Sequence, residues 1–296
     1  QTRIDTTYQH PASIAAAKGI VMKQIHFTVD PQKCVQCNAC ITDCPRHIIS
    51  ISDGLPWVSP ILEANCLECQ HCLAVCPTGA VSIFGLKAEN SIELSAEKIP
   101  SASQMHTLLR GRRSVRQYSM ENVPTGMIDD LLATLANTPT GCNDRTLSFA
   151  VVDDHNVMQK LRIRVIESIE NKIECNELMP DFLSAAVAAY RQQGVDEIFR
   201  GAPHLLVVSA AETASTPLQD ISLALAYFEL LAQCSGLGTT WCGFLKFAVD
   251  AAPELRPILG LDPETPFYAM LFGYPAVRYH RTVQRDNAAK IRHVSL

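Results

Sequence analysis

The sequence lacks long apolar runs and lacks any excess of basic residues. Its apolar stretches, such as LLVVSAA at 205–211, are much shorter than the roughly 18 residues that a membrane-spanning helix needs. The chain has 25 basic and 30 acidic residues, and the formal charge of −5 argues against a nucleic-acid surface. No signal-peptide pattern is visible. We therefore predict a soluble globular protein with no nucleic-acid partner and no membrane partner.

The sequence also lacks the dinucleotide-binding fingerprint G-x-G-x-x-G between a strand and a helix. This argues against a Rossmann domain but does not by itself exclude NAD(P)H as a substrate. Residues 1–24 show no recognisable pattern, and we predict that they are an N-terminal extension without an assigned function. Met22 is a candidate natural start within this extension.

Cysteine, by contrast, is abundant: the chain has 12, and most of them lie in two short stretches. These are CVQCNACITDCP at 34–45 and CLECQHCLAVCP at 66–77, and both have the spacing C-x2-C-x2-C-x3-C-P. Disulfide frameworks are typical of small secreted chains, and zinc sites typically use two C-x2-C pairs. Disulfides and zinc remain alternatives, but soft thiolates with this ferredoxin spacing favour 4Fe–4S clusters.

The two runs supply enough thiolates for two clusters. In two-cluster ferredoxins the fourth cysteine of each run ligates the cluster of the other run. One 4Fe–4S cluster is therefore assigned the ligands Cys34, Cys37, Cys40 and Cys76. The other is assigned the ligands Cys44, Cys66, Cys69 and Cys72. Because a reducing compartment keeps such thiols available, we predict a cytoplasmic protein.

The two runs also belong to an internal repeat. CPRHIISI at 44–51 and CPTGAVSI at 76–83 align without a gap, and each ends in a β-branched stretch. This predicts a small pseudo-symmetric unit in which each run leads into a strand. His47 and His71 lie beside ligand cysteines, and we interpret both as exposed turn residues rather than as ligands.

The composition changes after this repeat. The segment 85–104, GLKAENSIELSAEKIPSASQ, is polar and contains a proline and several serines, which is typical of a linker. We predict a ferredoxin-like domain at 25–90, a linker at 91–104 and a larger domain at 105–296.

Helical and extended patterns are mixed in the larger domain. A helix is predicted to begin at Ser103 as N-cap, and Pro124 opens an amphipathic helix. A long apolar helix at 218–234 runs to Gly236 and is followed by a glycine-rich turn. Strands are predicted at 147–154, 202–212 and 266–281. These patterns predict an α+β fold with a central sheet.

Arginines are concentrated between these elements, at Arg112, Arg113 and Arg116. Such a run is most often a solvated surface. Beside Ser114 it can also clamp a phosphate, because the forked guanidinium group matches phosphate oxygens. The residues alone leave both interpretations open.

Four motifs follow one another in this domain: RRSVRQY at 112–118, TPTGCN at 138–143, GLGTTWCGF at 236–244 and FGYP at 272–275. Their order resembles the nitroreductase family of FMN proteins over about two-thirds of the chain. The resemblance implies a central sheet with helices and an intertwined homodimer with FMN at its interface. The whole chain then resembles a member of this family preceded by a small two-cluster ferredoxin domain.

The resemblance also implies roles by position. The residues expected at the FMN phosphate and ribityl chain are Arg112, Arg113, Ser114 and Arg116. Those expected on the loop that the partner subunit lays against the flavin are Pro139, Thr140, Gly141 and Asn143. Those expected beside the N5 edge of the flavin are Thr240, Trp241, Cys242 and Gly243. A basic residue after GYP completes the phosphate site; Arg281 is the first choice, and the alternatives are Arg278 and Arg285.

The sequence departs from the family pattern near the expected flavin. NDRTL at 143–147 replaces the N-x-Q-P-W of many members, and Cys242 stands where members often have an acidic residue. These departures leave the acceptor and the use of nicotinamide open. Cys142 and Cys242 are interpreted as small packing residues, with reactive thiols as the alternative, and Cys175 and Cys234 as ordinary helix or core positions.

These observations predict an FMN-dependent oxidoreductase with two built-in 4Fe–4S clusters that pass electrons to or from the flavin. The expected acceptor is an electron-poor small molecule, such as a nitroaromatic compound or a quinone, and the expected donor is NAD(P)H or reduced ferredoxin. No catalytic side chain is predicted, because the cofactors carry the chemistry. A non-enzymatic redox sensor or electron carrier and an FMN-free scaffold are the alternatives.

Overall fold

A computed structural model of the protein describes residues 24–285 and 288–295. Met22 and most of the predicted N-terminal extension lie outside these ranges. The chain divides into two units, with the boundary between Lys98 and Ile99. This boundary falls within the stretch that the composition predicts as a linker.

The first unit consists of short elements around the two cysteine runs. Its strands are β1 (Thr28–Val29), β2 (Ile49–Ser52), β3 (Leu55–Val58), β4 (Val81–Ile83) and β5 (Leu86–Lys87). Its helices are α1 (Ala39–Thr42) and α2 (His71–Ala74). One antiparallel sheet has the order β1-β4-β5, and β2 and β3 form a separate hairpin. Each helix lies inside a cysteine run and ends before its Cys-Pro pair, because proline cannot continue a helix.

The core of the first unit comes from the β-branched stretches of the repeat. Ile48 and Ile49 follow the first run, Val81 and Ile83 follow the second, and all four are buried. They pack with the buried ligand-type cysteines of both runs. Both copies of the repeat therefore direct the same kind of side chain towards the cysteines.

The second unit is organised around an antiparallel sheet. Its strands are β6 (Ser148–Val152), β7 (His204–Ser209), β8 (Gly238–Trp241) and β9 (Phe267–Gly273), in the spatial order β6-β7-β9-β8. Strand β7 is buried along its whole length, which fits a central strand covered on both faces. The combination of this sheet with surrounding helices confirms the predicted α+β class.

The helices of the second unit form two apolar cores with the sheet. They are α3 (Ala102–Gly111), α4 (Thr125–Thr134), α5 (His155–Glu174), α6 (Asp181–Gln193), α7 (Pro217–Cys234) and α8 (Gly243–Ala251). Helices α5, α6 and α8 contribute to one core, and α4 and α7 contribute to the other. Within residues 24–285 and 288–295, no helix has the length and apolarity needed to cross a membrane.

Helix α3 begins earlier than predicted. Its N-cap is Ser101 rather than Ser103: the Ser101 hydroxyl accepts the N–H of Gln104, and the Gln104 side chain accepts the N–H of Ser101. This reciprocal capping box satisfies two N–H groups that a helix start otherwise leaves unpaired, so it fixes the starting residue.

Two further differences concern elements that the sequence analysis did not predict. Helices α6 and α8 were missed, although Pro180 precedes α6 and Gly194 ends it in the left-handed region at φ 70°. The predicted glycine-rich turn after α7 instead continues as strand β8. Its turn-like composition is outweighed by hydrogen bonding to β9, a strand that is distant in sequence.

Candidate functional site

The cysteines of the two runs line two separate cavities in the first unit. A space of about 320 Å³, here called the Cys34 site, is lined by Cys34, Cys37, Cys40 and Cys76. A space of about 390 Å³, the Cys66 site, is lined by Cys44, Cys66, Cys69 and Cys72. The fourth cysteine of each run thus joins the other three of the opposite run. This is the grouping that the ferredoxin spacing predicts.

The backbones of the two runs share an unusual conformation. Gln36 and Asn38 in the first run, and Glu68 and Gln70 in the second, all have φ between 55° and 60°. This left-handed region is uncommon for residues other than glycine, so its repetition at matched positions shows how tightly each loop is wrapped. The wrapping turns N–H groups towards sulfur, and the Glu68 N–H lies 3.4 Å from Cys66 Sγ.

The thiols differ in their surroundings. Burial raises the pKa of the Cys72 thiol to about 12. Burial also acts to raise the pKa of Cys76, but backbone N–H groups, including those of Thr78 and Ala80, lower it overall. The Ala80 N–H lies 3.2 Å from Cys76 Sγ. A bound metal centre deprotonates such thiols through its positive charge, and N–H groups aimed at sulfur stabilise the resulting thiolates.

The number and kind of ligands at each cavity suit an iron–sulfur cluster. Each cavity is lined by four cysteines, three from one run and the fourth from the other. Soft thiolates are the ligands that a 4Fe–4S cluster takes, and one cluster needs four of them.

The two histidines beside the cysteines are exposed, as the sequence analysis interprets them. His47 is exposed and has φ of 51°. The Nδ1 atom of His71 lies 3.2 Å from Asp43 Oδ2, and both side chains are largely exposed at the rim of the Cys66 site. His71 thus has a carboxylate partner that accounts for its position.

In the second unit, the segment that carries the arginine run lies along the free edge of β8. The Val115 N–H donates to the Thr239 carbonyl oxygen at 2.9 Å, and Ser114 forms a parallel bridge with Thr239. The Thr240 hydroxyl donates to the Val115 carbonyl oxygen across 125 residues of sequence. The RRSVRQY and GLGTTWCGF motifs are therefore neighbours in space.

The FGYP motif joins the same segment. The Ser119 N–H donates to the Tyr274 carbonyl oxygen, and the Ala276 N–H donates to the Gln117 carbonyl oxygen, both at 2.8 Å. The Tyr118 hydroxyl donates to the Thr240 hydroxyl oxygen at 3.2 Å. Three of the four motifs thus converge at one edge of the sheet.

An arginine-lined cavity opens to solvent at the C-terminal end of α3, where the arginine segment begins. Its lining includes Arg110, Arg112, Arg113 and Arg285. A second cavity of about 680 Å³ is lined by Arg113 and Arg278 among others. Arg281, the first choice for the phosphate site, lines neither cavity. Arg285 lines the first cavity instead. Clustered guanidinium groups of this kind suit a bound phosphate.

A buried acid that the sequence analysis did not identify holds Arg112 in place. Arg112 Nη1 lies 3.0 Å from Oε1 of Glu229 on α7, and the two side chains are 30% and 9% exposed. The Thr239 hydroxyl lies 3.5 Å from the same oxygen. Arg113 donates to the carbonyl oxygen of Arg110 at 2.7 Å. These arginines are thus fixed in position, which argues against the solvated-surface interpretation.

The fourth motif, TPTGCN at 138–143, is held by the other end of α7. The Gly141 N–H and the Thr216 hydroxyl both donate to Asp220 Oδ1, at 3.1 and 2.8 Å. A Cβ atom at Gly141 would lie 2.3 Å from Thr216 Oγ1, so this approach requires glycine. Asp220 and Glu229 are about 13 Å apart along the helix, at about 1.5 Å per residue. The loop and the arginine segment are thus held at two different positions along α7.

Glu229 and Asp220 were both missed from the sequence. The sequence does carry a signal for both. Glu229 lies within the apolar stretch ISLALAYFELLAQ at 221–233, and Asp220 directly precedes it. Acidic residues are rarely buried unless they are paired, so an acid among apolar helix positions indicates a buried partner. The identity of that partner depends on contacts that are remote in sequence.

The predicted flavin-edge residues lie at the end of β8 and the start of α8. The ring of Trp241 is 5.5 Å from that of Tyr268. Cys242 is 2% exposed, its thiol donates to the Ile198 carbonyl oxygen at 3.4 Å, and burial raises its pKa to about 12. The Cys242 thiol is therefore a core group. This supports the packing interpretation and argues against a reactive thiol at this position.

The other cysteines of the second unit differ from Cys242. Cys142, Cys175 and Cys234 are exposed. Within the single chain the packing interpretation is wrong for Cys142, which lies on the TPTGCN loop with φ of 51°. Cys175 and Cys234 lie at the C-terminal ends of α5 and α7, which fits their interpretation as ordinary helix positions.

Two family models match this chain. Residues 109–274 match the model described as "Nitroreductase family". Residues 33–81 match the model described as "4Fe-4S dicluster domain". The first match contains the arginine segment, the TPTGCN loop and strand β8, and the second contains the whole of both cysteine runs.

Relatives and a solved structure agree with the first match. Iodotyrosine deiodinase of Danio rerio is 29% identical over 192 residues, which cover 61% of this chain and 63% of that protein. Iodotyrosine deiodinase 1 of Sus scrofa is 31% identical over 189 residues, which cover 61% of this chain and 64% of that protein. This chain thus spans less than two thirds of the length of these curated relatives.

The fold is shared with a crystal structure of a nitroreductase with bound FMN from Bacteroides fragilis NCTC 9343. The two chains have a TM-score of 0.53 and 19% sequence identity, over 64% of this chain and 99% of the other. These findings confirm the predicted family and the predicted N-terminal 4Fe–4S dicluster domain. This chain belongs to the nitroreductase family and has an N-terminal 4Fe–4S dicluster domain.

Proposed function

We propose that this chain is an FMN-dependent oxidoreductase in which two 4Fe–4S clusters pass electrons to or from the flavin. The observation that carries the proposal is the presence, in one chain, of two four-thiol cavities and an arginine-lined cavity at the end of α3. When bound, the clusters supply single-electron storage, and the flavin accepts or donates one or two electrons. The residues of the chain bind and orient these groups.

The phosphate end of FMN would be held by Arg112, Arg113 and Arg285. These guanidinium groups share one cavity, and Arg112 is fixed by its ion pair with Glu229. Arg285 replaces Arg281 as our choice because it lines this cavity. Ser114 lies between the arginines and β8, where it suits the ribityl chain.

Arg116 and the segment from Thr240 to Gly243 would flank the flavin ring. Arg116 is exposed and makes only a long contact, 3.4 Å, with the Ser114 carbonyl oxygen, so its guanidinium group can turn to a ligand. The protein would thereby position the ring and exclude water from one face. No acid, base or nucleophile from the chain is required.

A second copy of the chain would complete the site. Pro139, Thr140, Gly141 and Asn143 lie on a loop held about 13 Å along α7 from the arginine segment. The resemblance to the family implies that this loop meets the flavin bound by another subunit. We therefore propose a homodimer with two flavin sites and with α7 in its interface. Several α7 side chains are exposed in the single chain, including Leu223 and Tyr227.

The acceptor is proposed to be an electron-poor small molecule, such as a nitroaromatic compound or a quinone. A second candidate is an iodinated phenol that undergoes reductive deiodination. This candidate is favoured by the similarity to two proteins named iodotyrosine deiodinase, at 29% and 31% identity. The donor is proposed to be NAD(P)H or reduced ferredoxin. A redox sensor or electron carrier without turnover remains the alternative.

An anaerobic titration tests this proposal. The full chain would be purified without oxygen, and its visible spectrum would be followed while NADH, NADPH and chemically reduced ferredoxin are added in turn. We expect at least one donor to bleach both the flavin and the cluster bands. The reduced protein would then be mixed with a nitroaromatic compound, a quinone and 3-iodotyrosine, and the bands should recover with the true acceptor class.

Each outcome has a separate meaning. If no flavin band appears even after FMN is added, the proposed FMN site is wrong. If the bands bleach but none of the acceptors restores them, the sensor or carrier alternative is favoured. An Arg112→Ala, Arg113→Ala double variant serves as the control, since it should lose the flavin band and keep the cluster bands.

A further inference from the structure

The internal repeat allows a residue-by-residue comparison of the two cluster sites. Residues 34–40 of the first run match residues 66–72 of the second, with the same left-handed φ at Gln36 and Glu68. Because the backbones agree, a difference between the sites comes from side chains and from the surroundings. Those surroundings set the reduction potential of a cluster.

The Cys34 site is the more exposed of the two. Residues 35–38 are all exposed, whereas the matched residues 67–70 are only partly exposed. Cys37 is exposed, and its counterpart Cys69 is intermediate. Reduction adds a negative charge, which water stabilises better than a low-dielectric interior does. Exposure therefore favours reduction at the Cys34 site.

The lining of the two cavities also favours reduction at the Cys34 site over reduction at the Cys66 site. Large apolar side chains surround the Cys66 site, including Ile25, Phe27, Ile49, Val58 and Ile83. Smaller apolar side chains line the Cys34 site, including Pro56, Ala80 and Val81. A negative charge added at the Cys66 site is thus placed in the more apolar surroundings.

Hydrogen bonding to sulfur also favours reduction at the Cys34 site. Cys76 Sγ accepts the Ala80 N–H at 3.2 Å and lies 3.8 Å from the Thr78 hydroxyl. In the Cys66 site, the Glu68 N–H lies 3.4 Å from Cys66 Sγ, and the Leu73 N–H donates to the Cys72 thiol. Donors aimed at sulfur stabilise the reduced cluster and raise its potential.

The repeat places unlike side chains at one matched position. Glu68 lies directly before Cys69, and a carboxylate there disfavours the addition of an electron. Its counterpart Gln36 is neutral and donates to the Gly54 carbonyl oxygen at 3.1 Å. Arg46 also lines the Cys66 site, and its positive charge favours the addition of an electron there. Its guanidinium group is exposed, however, so water and salt screen this effect.

We propose that the two clusters have different reduction potentials, that the Cys34 site has the higher one, and that Gln36 and Glu68 contribute to the difference. The inference rests on the proposed function, which supplies both clusters. Each site accepts one electron, [4Fe–4S]2+ to [4Fe–4S]1+, from a low-potential reductant such as dithionite. The first electron then resides at the Cys34 site, and the second enters the Cys66 site at a lower potential.

The test is a redox titration of the full holoprotein with dithionite and viologen mediators, followed by low-temperature electron paramagnetic resonance. The signals of reduced clusters are distinct from that of a flavin radical. We expect two resolved one-electron steps, with spin–spin broadening only after the second step. A single step that reduces both clusters together would overturn the proposal.

Two reciprocal variants assign the steps to the sites. Glu68→Gln gives the second run the side chain of the first and should raise the potential of the lower step alone. Gln36→Glu makes the converse change and should lower the potential of the upper step alone. If Glu68→Gln shifts the upper step, or shifts neither, the assignment of the sites is wrong.

Iron analysis separates this inference from the proposed function. About eight iron ions per chain are required for two 4Fe–4S clusters. A protein with much less iron after anaerobic purification or reconstitution contradicts the proposed function itself. A protein with full iron content and one shared potential contradicts only the inference of unequal sites.

Discussion

At the scale of single residues, two acids on α7 hold two of the predicted flavin-binding segments. Glu229 binds Arg112, and Asp220 accepts the N–H of Gly141. Both acids are buried, and neither belongs to the motifs that resemble the family. The residues that contact a ligand are thus recognisable from the sequence, whereas the residues that position them are not.

The ion pair of Arg112 leads to a first prediction. Glu229→Gln should weaken FMN binding about tenfold, because a charge-assisted hydrogen bond that orients the guanidinium group is lost. Riboflavin, which has no phosphate, should bind both proteins with similar affinity. Fluorescence titration of the apoprotein with each flavin measures this difference.

The matched control for this prediction is Glu212→Gln, which changes an exposed glutamate in the same unit. It should leave both affinities unchanged. Equal losses of FMN and riboflavin affinity in Glu229→Gln would indicate a general structural defect instead of a role in positioning the phosphate arginine.

His204 gives a second prediction, about pH. The residue is fully buried in β7, its Nε2 accepts the Val123 N–H at 3.0 Å, and burial lowers the pKa of the ring below its usual 6.5. The folded state therefore favours the neutral ring. The stability that follows is complete above pH 6.5 and is lost as the pH falls towards the folded-state pKa, because the unfolded chain binds the proton first.

Urea unfolding followed by flavin release, at pH 7.5 and pH 5.5, measures this effect. The wild type should lose stability at the lower pH. His204→Gln should be less stable by about 1–3 kcal/mol at pH 7.5, through the disturbed hydrogen bond, and should show a smaller pH dependence. An unchanged pH dependence in the variant would refute the role assigned to His204.

At the scale of elements, β8 organises the flavin site. It pairs with β9 on one side and receives the arginine segment on the other. The approach is close, since a Cβ atom at Gly238 would lie 2.6 Å from Val115 Cγ2. The glycine therefore belongs to strand packing, although its motif suggests a turn.

The third prediction concerns this contact. Gly238→Ala should destabilise the second unit by about 1–3 kcal/mol, as overpacking typically does, and should weaken FMN binding by displacing the arginine segment. Gly126→Ala is the matched control, because a Cβ atom at this α4 position meets no atom within 4 Å. That control should be neutral or stabilising by up to about 1 kcal/mol. Similar effects of the two substitutions on FMN affinity would contradict the packing argument.

At the scale of the whole molecule, the chain has two units with separate apolar cores. The first packs around the cysteines, and the second packs on both faces of the sheet. Each unit brings together its own set of site residues. The exception is the loop at 138–143, which is held at another position along α7 and which we propose to serve the partner subunit.

The fourth prediction follows from that exception. If a second subunit supplies the loop, flavin release and dimer dissociation should occur over the same range of protein concentration on dilution. Analytical ultracentrifugation and the recovery of free-flavin fluorescence measure the two processes. Asp220→Ala, which frees the loop, should weaken FMN retention in a protein that is still dimeric. Full flavin retention by an isolated monomer would contradict the shared site.

Much of this organisation was predictable because its signals are local. The spacing of eight cysteines predicts two cluster sites, and the order of four motifs predicts the family, which the comparisons confirm. Central strands and long helices have periodic patterns, so the α+β class was predictable as well. The start of α3, helices α6 and α8, and strand β8 were not, because capping and distant pairing outweigh local composition there.

The sequence by itself determined which chemical groups this protein can bind, since thiolates at a set spacing and clustered guanidinium groups carry that information locally. Only the tertiary structure decided that Arg285 lies with Arg112 and Arg113, and that Glu229 and Asp220 hold two of the predicted flavin-binding segments. The physical reason is that these choices depend on contacts between residues far apart in the chain. Such contacts are set by packing the whole unit, and no local pattern encodes them.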